Sequence, residues 1–218
     1  MHVEWFGQST FRLVGGDVTV LIDPFGDMSA AAARGLQFDY PPLEDVTADL
    51  LLVTHEHSDH NAVEVVGGDP VLIRSSAGTF ADTPVGEVVG VASEHDAVAG
   101  TQRGANVMYA FTLDGVRVAH LGDFGQSILR GEQAAALGAI DLLFVPVGDG
   151  PTIGASLAHE IAGTLGARWV VPMHYRTHRT NFLETADAFL ERFASVSRPG
   201  PSFDLGEVSE GAVAPAAP

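Results

Sequence analysis

Five short apolar runs in this 218-residue sequence are each followed, within a few residues, by a histidine or an aspartate. Asp23 follows Val18 to Ile22, His55 follows Leu50 to Val53, His95 follows Val88 to Ala92, Asp123 follows Val116 to Leu121, and His174 follows Trp169 to Met173. Runs of this length, rich in Val, Ile and Leu, read as buried strands. Functional side chains in sheet proteins collect where loops leave the strand ends. The recurrence therefore predicts one edge of the fold assembling one polar centre from segments far apart in sequence.

Further strand signals lie at His2 to Phe6, Thr10 to Val14, Val71 to Ile73, Val107 to Leu113 and Leu142 to Val147. Gly15-Gly16-Asp17 and the two-residue turn Asp114-Gly115 predict hairpins, so the N-terminal part should be mostly antiparallel. Helices are expected over Ala62 to Val66 with Asn61 as cap, over Gly131 to Leu137, over Ala155 to Leu165 and over Asn181 to Val196. In the last, Phe182, Leu183, Ala186, Phe189, Leu190 and Phe193 fall at helical spacing, which predicts a core-facing stripe. Mixed sheets covered by helices follow, as a single domain over residues 1–208. The segment Ser209 to Pro218, rich in alanine and proline, is expected to be a flexible tail.

The densest signal is His55-Glu56-His57-Ser58-Asp59-His60. On an extended loop, side chains two apart point the same way, so His55 and His57 can grip one ion while a bend brings Asp59 and His60 onto a neighbouring one. A histidine tag would sit at a terminus, without a carboxylate at fixed offset. The zincin helix signature is excluded, because it needs a histidine where Asp59 stands.

Charge and composition narrow the chemistry. The formal net charge is −17, and all 11 basic residues are arginine. General attraction to nucleic acid or to an anionic membrane is not expected, and assembly into a homo-oligomer stays open. With no lysine, Schiff-base chemistry and a P-loop are excluded; with no cysteine, so are disulfides and thiolates, leaving nitrogen and oxygen ligands for a metal. No apolar run has membrane-spanning length and the N-terminus reads as a strand, so a cytoplasmic location is expected.

Asp23, His55 to His60, His95, Asp123 and His174 together resemble the five ordered motifs of the metallo-β-lactamase superfamily, over residues 1 to about 205. The strings LIDPFGDMS, FDYPPLEDVTADLLLVTHEHSDHN, RGANVMYAF, RVAHLGDFG and VVPMHYRT are similar to the branch of zinc-dependent hydrolases that includes L-ascorbate-6-phosphate lactonase. The resemblance implies a four-layer αββα sandwich with a metal centre at one edge. It implies that His55, His57 and His95 hold one ion, that Asp59, His60 and His174 hold the second, that Asp123 bridges them, and that Asp23 supports the site from behind. Two divalent ions are implied, zinc first, with manganese or iron also suited to these donors. Redox relatives carry a glutamate where His57 stands, which disfavours a diiron oxygen-reducing centre.

The implied reaction is hydrolysis by a metal-bridging hydroxide, with Asp59 as the catalytic residue that orients the water and shuttles its proton. A small lactone or other ester is the favoured substrate. A phosphodiesterase acting on a nucleotide or phospholipid-derived substrate is the enzymatic alternative, and a non-catalytic metal-binding module the third. Arg103 and Arg176 are candidate contacts for a substrate anion, because arginine offers a bidentate fork. Tyr175 and His178 are candidate pocket residues, and the long segment Pro24 to Thr47, with Phe25, Phe38 and Tyr40, is a candidate pocket wall or lid. His120 is read as a structural hydrogen bonder.

Overall fold

Burial alternates along the opening hairpin, β1 (His2–Gly7) and β2 (Thr10–Gly15), as it must when one face of an antiparallel pair meets a core and the other meets solvent. The computed structural model describes residues 1–218. The chain continues through β3 (Val18–Ile22), α1 (Ser29–Ala32), β4 (Leu50–Val53), β5 (Val71–Arg74), β6 (Gly78–Thr83), β7 (Gly86–Glu94), β8 (Ala105–Leu113) and β9 (Val116–His120). It ends through α2 (Gly131–Leu137), β10 (Leu142–Pro146), α3 (Ala155–Leu165), β11 (Trp169–Met173), α4 (Asp187–Leu190), β12 (Val196–Ser197), β13 (Ser202–Asp204) and β14 (Gly211–Val213). No helix is long and apolar enough to cross a membrane.

The strands form two mixed sheets, as the resemblance implied. One has the order β13-β1-β2-β3-β4-β5, the other β12-β14-β11-β10-β9-β8-β7-β6. The first is antiparallel through β1, β2 and β3 and then parallel to β5. The predicted Asp114-Gly115 turn joins β8 to β9; both residues have positive φ, 52° and 75°, the conformation that a two-residue hairpin of right-handed twist demands.

The strand period of two sorts the apolar side chains between layers. Val20, Ile22, Leu50 and Leu52 join the large core between the sheets, where Phe11 of one meets Phe144 of the other at a centroid distance of 4.4 Å. Leu21 and Leu51 face outward into a small cluster with Val46 and Ala48. That outer layer is thin: it is built from the segment before β4 and a 3-10 turn at Val63–Val65, while α2 and α3 pack on β7 and β10 of the larger sheet.

Three expectations are corrected. The helix over Ala62 to Val66 is only that 3-10 turn, and Asn61 does not cap it, because its amide donates to the carbonyl and carboxylate of Glu56. The helix over Asn181 to Val196 shrinks to α4, since Glu184 exchanges backbone hydrogen bonds with Gly148 and Arg176 instead of continuing a helix. Leu183, Ala186, Phe189 and Leu190 are nevertheless buried, so the apolar pattern reported burial and not helix length.

The expected tail is also part of the fold. β14 lies between β12 and β11, with Ala212 and Val213 fully buried. Small side chains admit this packing, and Gly211, at φ 122°, lies so near the Ser195 carbonyl that a Cβ would stand 2.5 Å from it. Alanine-rich composition here marks tight packing and not disorder.

Candidate metal centre

Strand direction brings the polar residues together. β7 runs antiparallel to β8 and β8 to β9, while β9, β10 and β11 are parallel, so β7, β9 and β11 all deliver their C-terminal ends to the same side. In the other sheet β3 and β4 are parallel and end together. The residues just beyond these strands are Asp23, His55, His95, Asp123 and His174, the five anticipated from the apolar runs.

Asp123 stands at the centre. Its Oδ2 lies 3.1 Å from His95 Nε2, 3.2 Å from His174 Nε2 and 3.8 Å from His55 Nε2, and its Oδ1 lies 3.3 Å from His60 Nε2. His57 Nδ1 is 3.1 Å from His55 Nε2, and Asp59 Oδ2 is 3.6 Å from His60 Nε2. The donor atoms fall into three overlapping sets, each within 4.8 Å: His55, His57 and His95; His55, His60 and Asp123; Asp59, His60 and His174. His60 Nε2 and Asp123 Oδ1 are buried without a hydrogen-bond partner. Buried polar atoms left unpartnered are costly, and a cation between them would satisfy both.

The side chains are held from behind. Asp23 accepts from the Thr54 backbone N–H and hydroxyl, each at 2.7 Å, and from His60 Nδ1–H at 2.9 Å, which turns Nε2 toward the centre. The Asp123 backbone N–H donates to Asn106, whose amide is fixed by Ser93 and the Leu121 carbonyl. Asp23 and His174 hold φ of 51° and 49°, a conformation that non-glycine residues rarely adopt and that the surrounding structure must enforce. Glu56 turns away from the cluster and binds Arg74, Ser75 and Asn61, tying the histidine loop to the end of β5.

Electrostatics keep the donors ready. Burial pushes the His55 pKa down to about 3, helped by His60 next to it, and burial also lowers His57. Burial opposes the charges of Asp59 and Asp123, yet neighbouring histidines hold both carboxyls below their ordinary range, His60 first for Asp59 and His174 first for Asp123. Against its own burial, His60 is raised well above the ordinary imidazole value by Asp123, Asp59 and Asp23. A cationic guest would take the place of that proton.

The cluster opens into a cavity of about 520 Å³. His57, Asp59, His95, Asp123 and His174 form its floor, and Met28, Leu36, Arg34, Arg103, Pro151 and Phe182 its walls. Of the sequence candidates for substrate contact only Arg103 is there. Tyr175 is buried, stacked on Trp5 at 5.5 Å; Arg176 pairs with Glu184 at 3.6 Å; and His178, exposed, contributes only a carbonyl, to Gln37. The segment Pro24 to Thr47 does supply a wall, through Met28, Ala31, Arg34 and Leu36, whereas Phe25, Phe38 and Tyr40 pack on one another. His120 bonds the Ser9 carbonyl and the Gly122 N–H, a structural role.

Sequence reasoning missed Arg34, Phe182 and Gln8. Gln8, fully buried at φ 50° in the β1–β2 connection, reaches Asp59 with its amide at 3.5 Å, and its carbonyl accepts the His174 N–H at 3.2 Å. Nothing local marks these residues, because their neighbours in space lie far away in sequence.

Comparison with known proteins finds relatives of this chain and of its fold. The profile of the Beta-lactamase superfamily domain matches residues 2–174. A UPF0173 metal-dependent hydrolase of Methanosphaera stadtmanae is 29% identical, covering 81% of this chain and 85% of its own length. Another from Thermococcus onnurineus is 33% identical with the same coverage, 81% and 85%. A crystal structure from Thermotoga maritima, described as that of a Zn-dependent hydrolase of the metallo-β-lactamase superfamily, superposes with a TM-score of 0.80 at 32% identity over 100% of this chain and 99% of its own. The isothiocyanate hydrolase from Delia radicum gut bacteria shares the fold at a TM-score of 0.67 and 17% identity, covering 88% of this chain and 91% of its own.

Proposed function

Because the chain belongs to the metallo-β-lactamase superfamily and to its metal-dependent hydrolases, we propose that the strand-end cluster is a dinuclear centre hydrolysing a small lactone or other carboxylic ester. The observation that carries this reading is the position of Asp123, whose two oxygens lie between 3.1 and 3.8 Å from four imidazoles. A carboxylate so placed is suited to bridge two ions. His55, His57 and His95 would hold one and Asp59, His60 and His174 the other. Zinc suits the donors; manganese or iron would also be accepted.

Bound ions would supply Lewis acidity toward a carbonyl oxygen and would lower the pKa of water from near 16 toward about 7. The chain's own contributions are positional. Asp59, ionised at neutral pH and part-exposed on the cavity floor, orients the attacking water and accepts its proton. Gln8 steadies that carboxylate, and Asp23 holds His60 by Nδ1 so that Nε2 faces the cluster. Met28, Leu36 and Phe182 shield the reacting bond from bulk water.

The test is protein purified without chelator or histidine tag, assayed for metal and against lactones, thioesters and bis-p-nitrophenyl phosphate. Two ions per chain and ester turnover are expected. His57→Ala should abolish turnover while the fold persists, since His57 is exposed and outside the core. Less than one firmly held ion per chain under replete conditions would sink the dinuclear reading, and faster cleavage of the phosphodiester would replace the ester reading with phosphodiesterase.

A further inference from the structure

In this chain of 28 acidic residues and 11 arginines, seven arginine side chains are held by a hydrogen bond or an ion pair: Arg12, Arg74, Arg130, Arg168, Arg176, Arg179 and Arg192. Here the side chains of Arg34, Arg103, Arg117 and Arg198 make no hydrogen bond or ion pair. Two of these four, Arg34 and Arg103, line the metal cavity.

Neither side chain is needed for its loop to fold. Asp96 builds the loop that carries Arg103, accepting from the backbone N–H groups of Val98, Gly100, Gln102 and Arg103 at 2.8 to 2.9 Å. Arg34 follows α1, and the turn is completed through backbone bonds of Arg34, Gly35 and Leu36 to Ala31 and Ala32. Both guanidiniums are exposed, on walls contributed by separate segments. Beside them the wall is apolar, with Met28, Leu36 and Phe182.

We propose that this cavity selects an amphipathic anion: Arg34 and Arg103 receive a carboxylate or phosphate group of the substrate, while its apolar portion lies against Met28, Leu36 and Phe182. A net charge of −17 repels anions from the surface at large, so the unpaired arginines provide the local attraction that lets an anion enter. Their forks match carboxylate and phosphate alike. The inference rests on the hydrolase reading only for the place of the scissile bond; binding of the anion stands apart from it.

The experiment titrates metal-loaded protein calorimetrically with hexanoate, hexyl phosphate and hexan-1-ol, which share one apolar chain. At least one anion should bind tenfold or more tighter than the alcohol, and the tighter anion identifies the group selected. Arg34→Gln and Arg103→Gln should each weaken that anion at least tenfold, while Arg117→Gln, remote from the cavity, retains it. Equal affinity for alcohol and anions, no binding of any probe, or unchanged anion affinity in both cavity variants, which would assign the anion to the metals alone, overturns the proposal. In parallel, matched esters with and without the anionic group are assayed: arginine-dependent anion binding without turnover of any ester would remove the hydrolase reading and leave the anion site standing.

Discussion

Asp23 Oδ2 and His60 Nδ1 lie 2.9 Å apart, both side chains wholly buried, and this pair fixes which nitrogen of His60 faces the metal cluster. With Nδ1–H donating to Asp23, Nε2 is the nitrogen that faces an incoming ion.

Asp23→Asn should reverse that assignment. An amide placed there would present N–H toward Nδ1, and the imidazole would then carry its proton on Nε2, toward the ion. Outer partners of this kind typically control about 10- to 100-fold in metal affinity. Competition with a chromophoric chelator should show a loss of that size at one site; unchanged affinity would remove the orienting role of Asp23.

Metal uptake should release protons near neutral pH. His60 is raised well above its ordinary value by Asp123, Asp59 and Asp23, so the metal-free chain carries a proton there that an incoming ion displaces. The sign extends to stability. A group whose folded pKa is raised stabilises below its unfolded value and loses that contribution as pH rises through the folded value. Calorimetric metal titrations in buffers of different ionisation enthalpy should therefore report proton release, and the metal-free chain should lose stability toward alkaline pH. A heat that is independent of buffer would contradict this.

Gly125→Ala should loosen the centre without touching a proposed ligand. The added Cβ would stand 2.4 Å from the carbonyl carbon of His95, closer than real contacts allow, so the backbone that carries His95 must move. Overpacking of this kind costs about 1–3 kcal/mol. A fall in Tm of roughly 2–12 °C and weaker metal retention are expected, at about 2–4 °C per kcal/mol for a chain of this size. A wild-type Tm with intact affinity would count against the contact.

Truncation before Gly211 should destabilise the fold. It removes β14, uncovers β11 and β12, and discards Ala212 and Val213, both fully buried. Burying the valine alone is worth about 1.5–3 kcal/mol, and the backbone ladder adds to it. Insolubility or a large drop in Tm is expected; a truncated chain that melts like the full one would return the segment to the status of a tail.

Strand ends were legible because each apolar run is followed within three residues by an aspartate or a histidine, and five such ends could be compared. Long-range contributions were not. Arg34 and Gln8 reach the site through loops, and no local period marks a residue whose partners are set by tertiary packing. The stripe from Phe182 to Phe193 misled because buried residues around a short helix and two turns can imitate one long helical face. β14 and β13 were missed for another reason: strands of three residues are too short for alternation to register.

The place of β14 also sets a timetable. A nascent chain that has emerged as far as His174 already owns every residue of the metal cluster, yet β11, which positions His174, lacks the neighbour that later residues provide, and β1 lacks β13. Ligand set and sheet closure are thus completed by different stretches of chain, so a peptide ending at His174 should hold the ion less firmly than one that includes β13 and β14.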